Sequence, residues 1–137
     1  MTSETVTIRQ KLMMPAPPEA VFDLLVDPEL HSELTGEPAT GSGEVGGTMI
    51  ARNGRVIIRH VELERGRWIM QEWSTDDWPA GVQPSRLEIG MMAIGKGTDL
   101  RMMHSGVPKE MESRTEREWY EFCWDPMFER LRSRALY

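Results

Sequence analysis

The sequence has few of the residues that cross-link a protein, ligate metals or anchor it in a membrane. Its 137 residues include one cysteine, Cys123, so no internal disulfide can form, and only three histidines. No run approaches the roughly 18 consecutive apolar residues of a membrane span. The polar start of the chain also lacks the apolar stretch of a secretory signal. These absences argue against a disulfide scaffold and a membrane span, and they predict a soluble, cytoplasmic protein.

Positive charge is also scarce. Lys and Arg total 16 against 22 for Asp and Glu, which gives a formal net charge of -6. A protein that grips nucleic acid over a broad face usually carries the opposite sign, because it must neutralise phosphates. We therefore expect no nucleic-acid partner. The chain is 39% hydrophobic and 28% charged. These are ordinary globular values, and we expect a single domain over residues 1–137.

The hydrophobic pattern predicts an α+β fold. Apolar and polar residues alternate over residues 5–13, as in a half-buried strand, and Pro18 and Pro28 each suit the first turn of a short helix. After a glycine-rich stretch, Asn53-Gly54 predicts a hairpin, because both positions of a tight hairpin turn need positive φ. The alternating segments that follow predict an antiparallel meander.

The last part of the chain has the pattern of a helix. Over residues 109–134 apolar side chains recur at intervals of three and four, and they include Trp119 and Phe122. Pro126 lies inside this helix and removes a hydrogen bond, so we expect a kink near Asp125. A meander that presents its apolar side to one long helix forms a curved antiparallel sheet of about six to seven strands around that helix. Such a shape commonly leaves a cavity.

Several local motifs, spread over nearly the whole chain, point to one superfamily. They are Pro18-Glu19-Ala20-Val21-Phe22, Gly46-Gly47-Thr48-Met49, Ile69-Met70-Gln71-Glu72-Trp73, Trp78-Pro79, Gly97-Thr98-Asp99-Leu100, His104-Ser105-Gly106-Val107-Pro108 and the helix from Trp119 to Pro126. With the element order, they resemble the Aha1-type domains, named after the activator of the Hsp90 ATPase, within the START-like (SRPBCC) helix-grip superfamily. The resemblance implies the helix-grip fold and leaves the activity open. Family members commonly have a glycine just before the helix tryptophan, whereas here Glu118 precedes it.

Aromatic and methionine residues form the candidate ligand site. Methionines adapt to irregular shapes, and tryptophan N–H groups can orient the polar end of a guest. A cavity between sheet and helix would therefore suit a small apolar or amphipathic molecule. Core packing is the competing explanation for each of these residues. The predicted ligand-binding residues are Trp73, Trp78, Met91, Met102, His104, Trp119 and Phe122, and a wider set adds Met13, Trp124 and Phe128.

No catalytic set of side chains is evident in the sequence. His104 shares a predicted strand face with Leu100 and Met102 and would point into the cavity, where it could act as a general base or bind a ligand. A histidine that is satisfied by neighbouring groups is the favoured interpretation. Asp76 and Asp77 are adjacent on a loop, where side chains seldom converge, so we interpret them as capping residues. We predict no catalytic residue, no metal site and no cofactor.

Three hypotheses on function stay open, in order of preference. The first is non-enzymatic binding of a small apolar or amphipathic ligand in the cavity. The second, implied by the resemblance alone, is interaction with an Hsp90-type chaperone. It ranks lower because the multidomain co-chaperones of the family use a separate N-terminal docking domain, to which nothing in this sequence corresponds. The third is a cyclase- or hydrolase-like enzyme that uses His104. The sheet edge and the amphipathic helix also offer surfaces for a homodimer.

Overall fold

One curved antiparallel sheet dominates the computed structural model, which describes residues 4–135. Its seven strands are β1 Thr5–Met14, β2 Thr40–Gly41, β3 Thr48–Ala51, β4 Val56–Glu64, β5 Trp68–Thr75, β6 Ser85–Ile94 and β7 Gly97–Pro108. The strand order across the sheet is β1-β7-β6-β5-β4-β3-β2, and every pairing is antiparallel. The predicted meander is therefore confirmed, with β1 placed beside the last strand.

Two short helices follow β1, and a longer helical region follows β7. The segments are α1 Pro18–Val26, α2 Pro28–Thr35, a 3-10 turn Lys109–Met111, α3 Glu112–Glu118, a π-helical segment Trp119–Trp124 and α4 Asp125–Ala135. Asp27 separates α1 from α2, and its carboxylate accepts a hydrogen bond from the N–H of Leu30 at 3.0 Å. This contact caps the start of α2, and Pro28 occupies the first turn as predicted.

The hairpin predicted at Asn53-Gly54 joins β3 to β4, with a loop of more than two residues. Arg52, Asn53 and Gly54 all have positive φ, at 50°, 56° and 90°. The first ladder pair outside the loop is Ala51 with Val56. Left-handed backbone is uncommon for a long side chain such as arginine. Here it turns Arg52 out of the strand and toward α3, which it contacts.

A bulge lets β7 extend beyond its predicted end. Ile8 of β1 pairs with His104, and Val6 pairs with Val107, so two residues of β7 oppose one residue of β1. Gly106 lies within this bulge with a φ of 75°. The extra residue shifts the alternation, because His104 and Val107 are both buried although they are three positions apart.

The C-terminal helical region changes its hydrogen bonding where two tryptophans stack. Trp119 and Trp124 are five residues apart, a spacing that puts them on different faces of an α-helix and brings them closer together around the wider π-helix. Their rings lie within 14° of parallel, with centroids 5.1 Å apart. The N–H of Asp125 donates to the carbonyl of Tyr120, as i to i+5 bonding requires. Pro126 lies just after this segment, in the first turn of α4, and the kink expected near Asp125 stays a prediction.

The concave face of the sheet and the helical region share one core. On β5 the side chains of Ile69, Gln71 and Trp73 are buried, while those of alternate residues lie on the convex side. On the helical side the buried residues are Trp119, Cys123, Trp124, Met127 and Leu131. Within residues 4–135, no helix combines the length and apolarity needed to cross a membrane.

Candidate functional site

A cavity of about 240 Å³ opens between the concave face of the sheet and the start of the C-terminal helical region. The loops β3–β4 and β5–β6 and the helix α3 surround its mouth. Ligand sites in proteins span roughly 300–1,000 Å³, so this cavity suits a small guest. Its rings come from Trp73, Trp78, His104, Trp119 and Phe122, and its interacting charges from Arg52, Asp77, Arg114 and Glu118.

His104 is held at the floor of the cavity by hydrogen bonds to both ring nitrogens. The indole N–H of Trp119 donates to Nδ1 of His104 at 3.1 Å, and because an indole nitrogen can only donate, Nδ1 carries no proton. The proton is therefore on Nε2, which donates to Oγ of Ser85 at 2.7 Å. The Ser85 hydroxyl donates onward to the carbonyl of Trp73 at 3.3 Å. Every polar group in this series of hydrogen bonds has a partner.

The environment of His104 also keeps it uncharged. Burial, and to a lesser extent the positive charge of Arg52, lowers the pKa of His104 to about 3. A neutral imidazole with both nitrogens engaged has no lone pair free to accept a proton from a guest. The geometry matches the histidine satisfied by its neighbours, the interpretation that the sequence favoured.

A second series of hydrogen bonds fixes Trp73. Its indole N–H donates to Oε1 of Gln71 at 2.9 Å, and the Gln71 amide donates to Nδ1 of His60 at 3.2 Å. Nε2 of His60 then donates to the carbonyl of Ser42 at 2.8 Å. Burial lowers the pKa of His60, so this histidine too is neutral. The chain ties the cavity wall to the loop before β3.

The indole N–H groups of the buried tryptophans are thus used within the protein. Trp124 donates to Oε1 of Gln10 at 2.7 Å, as Trp73 and Trp119 donate to their own partners. The prediction that these N–H groups orient the polar end of a ligand is wrong for all three. Trp73 and Trp119 offer ring surface to the cavity, and the half-buried Trp78 adds its ring beside the mouth.

Arg52 is the least exposed charged residue of the cavity, at 9%. Its guanidinium carbon lies 4.7 Å from the ring centroid of Phe122 and 5.8 Å from that of Trp73. Its Nη1 donates to Oε2 of Glu118 at 3.0 Å. Cation–π contacts and one ion pair therefore hold a positive charge against the aromatic floor.

Three buried ionisable groups respond to the charge of Arg52. Burial lowers the pKa of His31 to about 4, a hydrogen bond from Nδ1 to the carbonyl of Leu24 opposes this, and Arg52 adds to the decrease. Burial raises the pKa of the Cys123 thiol, and Arg52 opposes that rise. His31, Cys123 and His104 are thus neutral side chains around the buried charge of Arg52.

A chain of ion pairs crosses the mouth of the cavity. Glu118 binds Arg52 at 3.0 Å and Nε of Arg114 at 2.8 Å, and Nη2 of Arg114 contacts Asp77 at 2.6 Å. The hydrogen bond to Glu118, followed by the charge of Asp77, raises the pKa of Arg114. Both loops are thus tied to α3. Asp77 is an ion-pair partner of Arg114, and the capping role expected for Asp76 and Asp77 stays a prediction.

The fold and the full length of the helical region fit one known family. Residues 15–134 match the family model described as "Activator of Hsp90 ATPase homolog 1-like protein". The chain belongs to this family. The resemblance that the motifs indicated is therefore confirmed, and the AHSA1-like domain has the helix-grip architecture expected from it.

A curated relative supports the assignment and shows its limits. The AHSA1-like domain is 27% identical over 116 residues to the activator of 90 kDa heat shock protein ATPase homolog of Dictyostelium discoideum. The alignment covers 84% of this chain and 30% of that protein. The chain thus spans less than a third of the relative's length.

Solved structures agree on the fold. An HSP90 activator from Plasmodium falciparum superposes with a TM-score of 0.78 at 19% identity, covering 85% of this chain and 89% of that one. The Aha1 dimer from Colwellia psychrerythraea superposes with a TM-score of 0.75 at 17% identity, covering 89% of this chain and 93% of that one. At these identities the likeness shows the fold alone.

The AHSA1-like domain brings together five of the seven predicted ligand-site residues. Trp73, Trp78, His104, Trp119 and Phe122 line the cavity. The other two, Met91 and Met102, are buried on the predicted inward strand faces, but they lie further along β6 and β7 and do not line it. In the wider set, Met13 and Phe128 are 55% and 39% exposed, so their assignment to a pocket is wrong.

The sequence did not predict the charged half of the site. Arg52 follows a strand pattern and gives no local sign that its side chain turns inward. Glu118 was visible as a departure from the family's common glycine, and its carboxylate now proves to join Arg52 to Arg114. Within residues 4–135, no group of three or more His, Cys, Asp or Glu side chains is arranged to hold a metal ion.

Proposed function

We propose that this domain binds a small apolar or amphipathic molecule in the cavity and does not transform it chemically. The observation that carries the proposal is a preformed cavity of about 240 Å³ whose aromatic floor has its own polar groups already paired. An apolar guest can displace water from such a floor without leaving buried donors or acceptors unsatisfied.

The absence of a reactive group at the floor supports a binding role. Both nitrogens of His104 are engaged and its pKa is about 3, so it has no capacity to act as a base near neutral pH. The Ser85 hydroxyl donates to the backbone and is fully buried. The third hypothesis, an enzyme that uses His104, therefore gains no support from this geometry.

A cavity-filling variant tests the proposal. Thr115 lies on α3 in the cavity lining, whereas Ser113 is exposed on the same helix. We expect N-phenyl-1-naphthylamine, a neutral apolar dye, to gain fluorescence with the wild-type protein and with Ser113→Phe. Thr115→Phe should weaken dye binding at least fivefold, because its ring occupies the cavity. Equal binding by the two variants would place the dye elsewhere and refute the proposal.

Native mass spectrometry of freshly purified protein provides an independent measurement. A co-purified small molecule that is retained by Ser113→Phe and lost from Thr115→Phe would identify the natural ligand and locate it in the cavity. A molecule retained equally by both variants would count against the cavity as its site.

Interaction with an Hsp90-type chaperone is the second candidate function. It is supported by membership of the family and by the name of the Dictyostelium relative. A titration of the purified domain into an Hsp90-type chaperone, read as ATPase rate against an equal concentration of serum albumin, tests it. An increase in the ATPase rate of the chaperone with this domain, but not with albumin, would support the role. An unchanged ATPase rate at a saturating concentration of the domain would exclude it.

A homodimer and a cytoplasmic location stay predictions. The Colwellia relative was solved as a dimer, and sedimentation velocity over a range of protein concentrations would show whether this domain also associates. A single monomer species at all concentrations would exclude a stable homodimer.

A further inference from the structure

We infer that the ligand of this cavity is a small amphipathic carboxylate, whose anionic group binds Arg52 while its apolar body packs against the aromatic floor. This inference rests on the proposed function and specifies the class of ligand that the site takes.

The deepest charge of the cavity is positive, whereas the shallower charges are of both signs. The Arg52 side chain is 10% exposed, whereas those of Glu118 and Asp77 are 23% and 31% exposed. Asp76 and Glu121, which also line the cavity, are exposed. Electrostatic interactions strengthen as the surroundings become less polar. An ionic group that reaches the floor therefore meets a cation, although the lining as a whole carries both signs.

Arg52 has hydrogen-bonding capacity that residues 4–135 do not use. A guanidinium has five N–H donors, and it binds a carboxylate best through two parallel bonds. The pair with Glu118 uses Nη1 alone, and a further contact is made to the Cys123 thiol. Donors thus stay available for a second acceptor in the cavity. The rings of Phe122 and Trp73 hold the guanidinium in place, so little freedom is lost when a guest binds.

One hydroxyl in the cavity lining has no hydrogen-bond partner among residues 4–135. Oγ1 of Thr75, which belongs to the cavity lining, is buried and makes no hydrogen bond within residues 4–135. Thr75 pairs with Val56 at the start of β4, four residues from Arg52 in the chain. Buried hydroxyls in proteins are normally satisfied. An oxygen of a bound carboxylate, reached by a small shift of the side chain, would supply the missing acceptor.

Glu118 is an internal carboxylate that shares Arg52 with a guest. It is shared between Arg52 and Arg114, so it can keep its bond to Arg114 when a ligand takes Arg52. The exchange leaves no carboxylate buried without a partner. It also means that Glu118 competes with the guest, and that removing its charge strengthens the binding of an anion.

Two probes of nearly equal shape separate the carboxylate from the apolar body. Isothermal titration calorimetry at pH 7 would compare 2-naphthoate with 2-naphthamide, which differ in charge at one end. We expect wild-type protein to bind the naphthoate about tenfold more tightly, the range of a charge-assisted hydrogen bond. Arg52→Gln should remove this preference and keep naphthamide binding. Glu118→Gln should tighten naphthoate binding at least threefold and leave naphthamide binding unchanged.

Arg55→Gln is the matched control, since Arg55 is an exposed arginine of the same lining. It should retain the preference for naphthoate. Equal binding of the two probes by wild type would overturn the carboxylate inference and leave the apolar site standing, whereas binding of neither would overturn both. A preference that survives in Arg52→Gln would also overturn it. If Arg52→Gln does not fold, Glu118→Gln decides the question. Unchanged or weaker binding of naphthoate by Glu118→Gln would then overturn the carboxylate inference.

Discussion

The floor of the cavity and its mouth are held together by different interactions. At the floor, Trp119, His104, Ser85 and Trp73 form a chain of hydrogen bonds between neutral groups, and all four residues are at most 5% exposed. Loss of one member leaves another donor or acceptor buried without a partner, which is costly. The floor therefore supplies stability and a fixed shape.

At the mouth, the contacts are ion pairs between half-exposed side chains. Arg114 is 40% exposed in its pairs with Asp77 and Glu118. Water and salt screen such pairs, and they contribute little to stability. Changes at the mouth thus cost the fold little, so the mouth is the region in which selectivity for a guest can vary independently of folding.

The largest expected effect comes from removing the ring at the centre of the floor. Trp119 is 1% exposed and stacks on Trp124, and its N–H fixes His104. Trp119→Ala should lower the free energy of unfolding by about 3 to 5 kcal/mol, through lost burial and a residual cavity. Urea denaturation followed by circular dichroism would measure this.

Tyr120 provides the control for that variant, since it is the next residue and is 41% exposed. Tyr120→Ala should change the free energy of unfolding by less than about 0.5 kcal/mol. Similar losses in the two variants would contradict the assignment of stability to the floor.

Acid should weaken the floor without any mutation. In the folded protein the pKa of His104 is about 3 and that of His31 about 4, against 6.5 for an ordinary histidine. At a pH between the folded and the unfolded pKa values of these histidines, the unfolded state binds more protons than the folded state. Stability is therefore complete above about pH 6.5 and falls as the pH decreases toward 4. Urea titrations should show a loss on the order of 3 kcal/mol between pH 7 and pH 5.

The slope of this pH dependence identifies its source. His104→Gln removes one titrating group, so the change in stability per pH unit near pH 5.5 should decrease by about 1 kcal/mol. High salt should leave the slope nearly unchanged, because burial is the main cause of the pKa shift. A free energy of unfolding that is constant from pH 7 to pH 5 would be inconsistent with neutral, buried histidines.

A smaller loss is expected from one hydroxyl of the floor. Ser85→Ala leaves Nε2–H of His104 without its acceptor and should cost about 1 to 3 kcal/mol, measured by urea denaturation. Ser105 of β7, whose hydroxyl makes only a long 3.5 Å contact, is the control. Ser105→Ala should change stability by less than about 0.5 kcal/mol. A Ser85→Ala protein as stable as the control would show that the chain is not needed.

The sequence predicted much of the floor because strand alternation determines which side chains face inward. Leu100, Met102 and His104 follow one another at intervals of two, and all three are buried as expected. Their hydrogen-bond partners were not predicted. The link from Trp119 to His104 depends on how the helical region crosses the sheet, which no local pattern specifies.

The charged half of the site was not predicted, for a physical reason. The inward orientation of Arg52 depends on a loop with three consecutive left-handed residues, and its partner Glu118 is 66 positions away in the chain. The π-helical segment Trp119–Trp124 was not predicted, because it accompanies the stacking of the two tryptophans in the core, which no local pattern specifies. In this region the sequence predicted only a kink, at Pro126.

The smallest effect on folding should come from the outermost ion pair of the mouth. Asp77→Asn removes the charge that faces Arg114, a pair with 31% and 40% exposure. The free energy of unfolding should fall by less than about 1 kcal/mol. Since this pair ties the β5–β6 loop to α3, the association rate of N-phenyl-1-naphthylamine, measured by stopped flow, should rise about two- to threefold as the loop opens more often. Two results together would contradict this division of roles: a loss of stability in Asp77→Asn larger than that in Ser85→Ala, and an unchanged association rate of the dye. Stability would then depend on the mouth, and the mouth would not control access to the cavity.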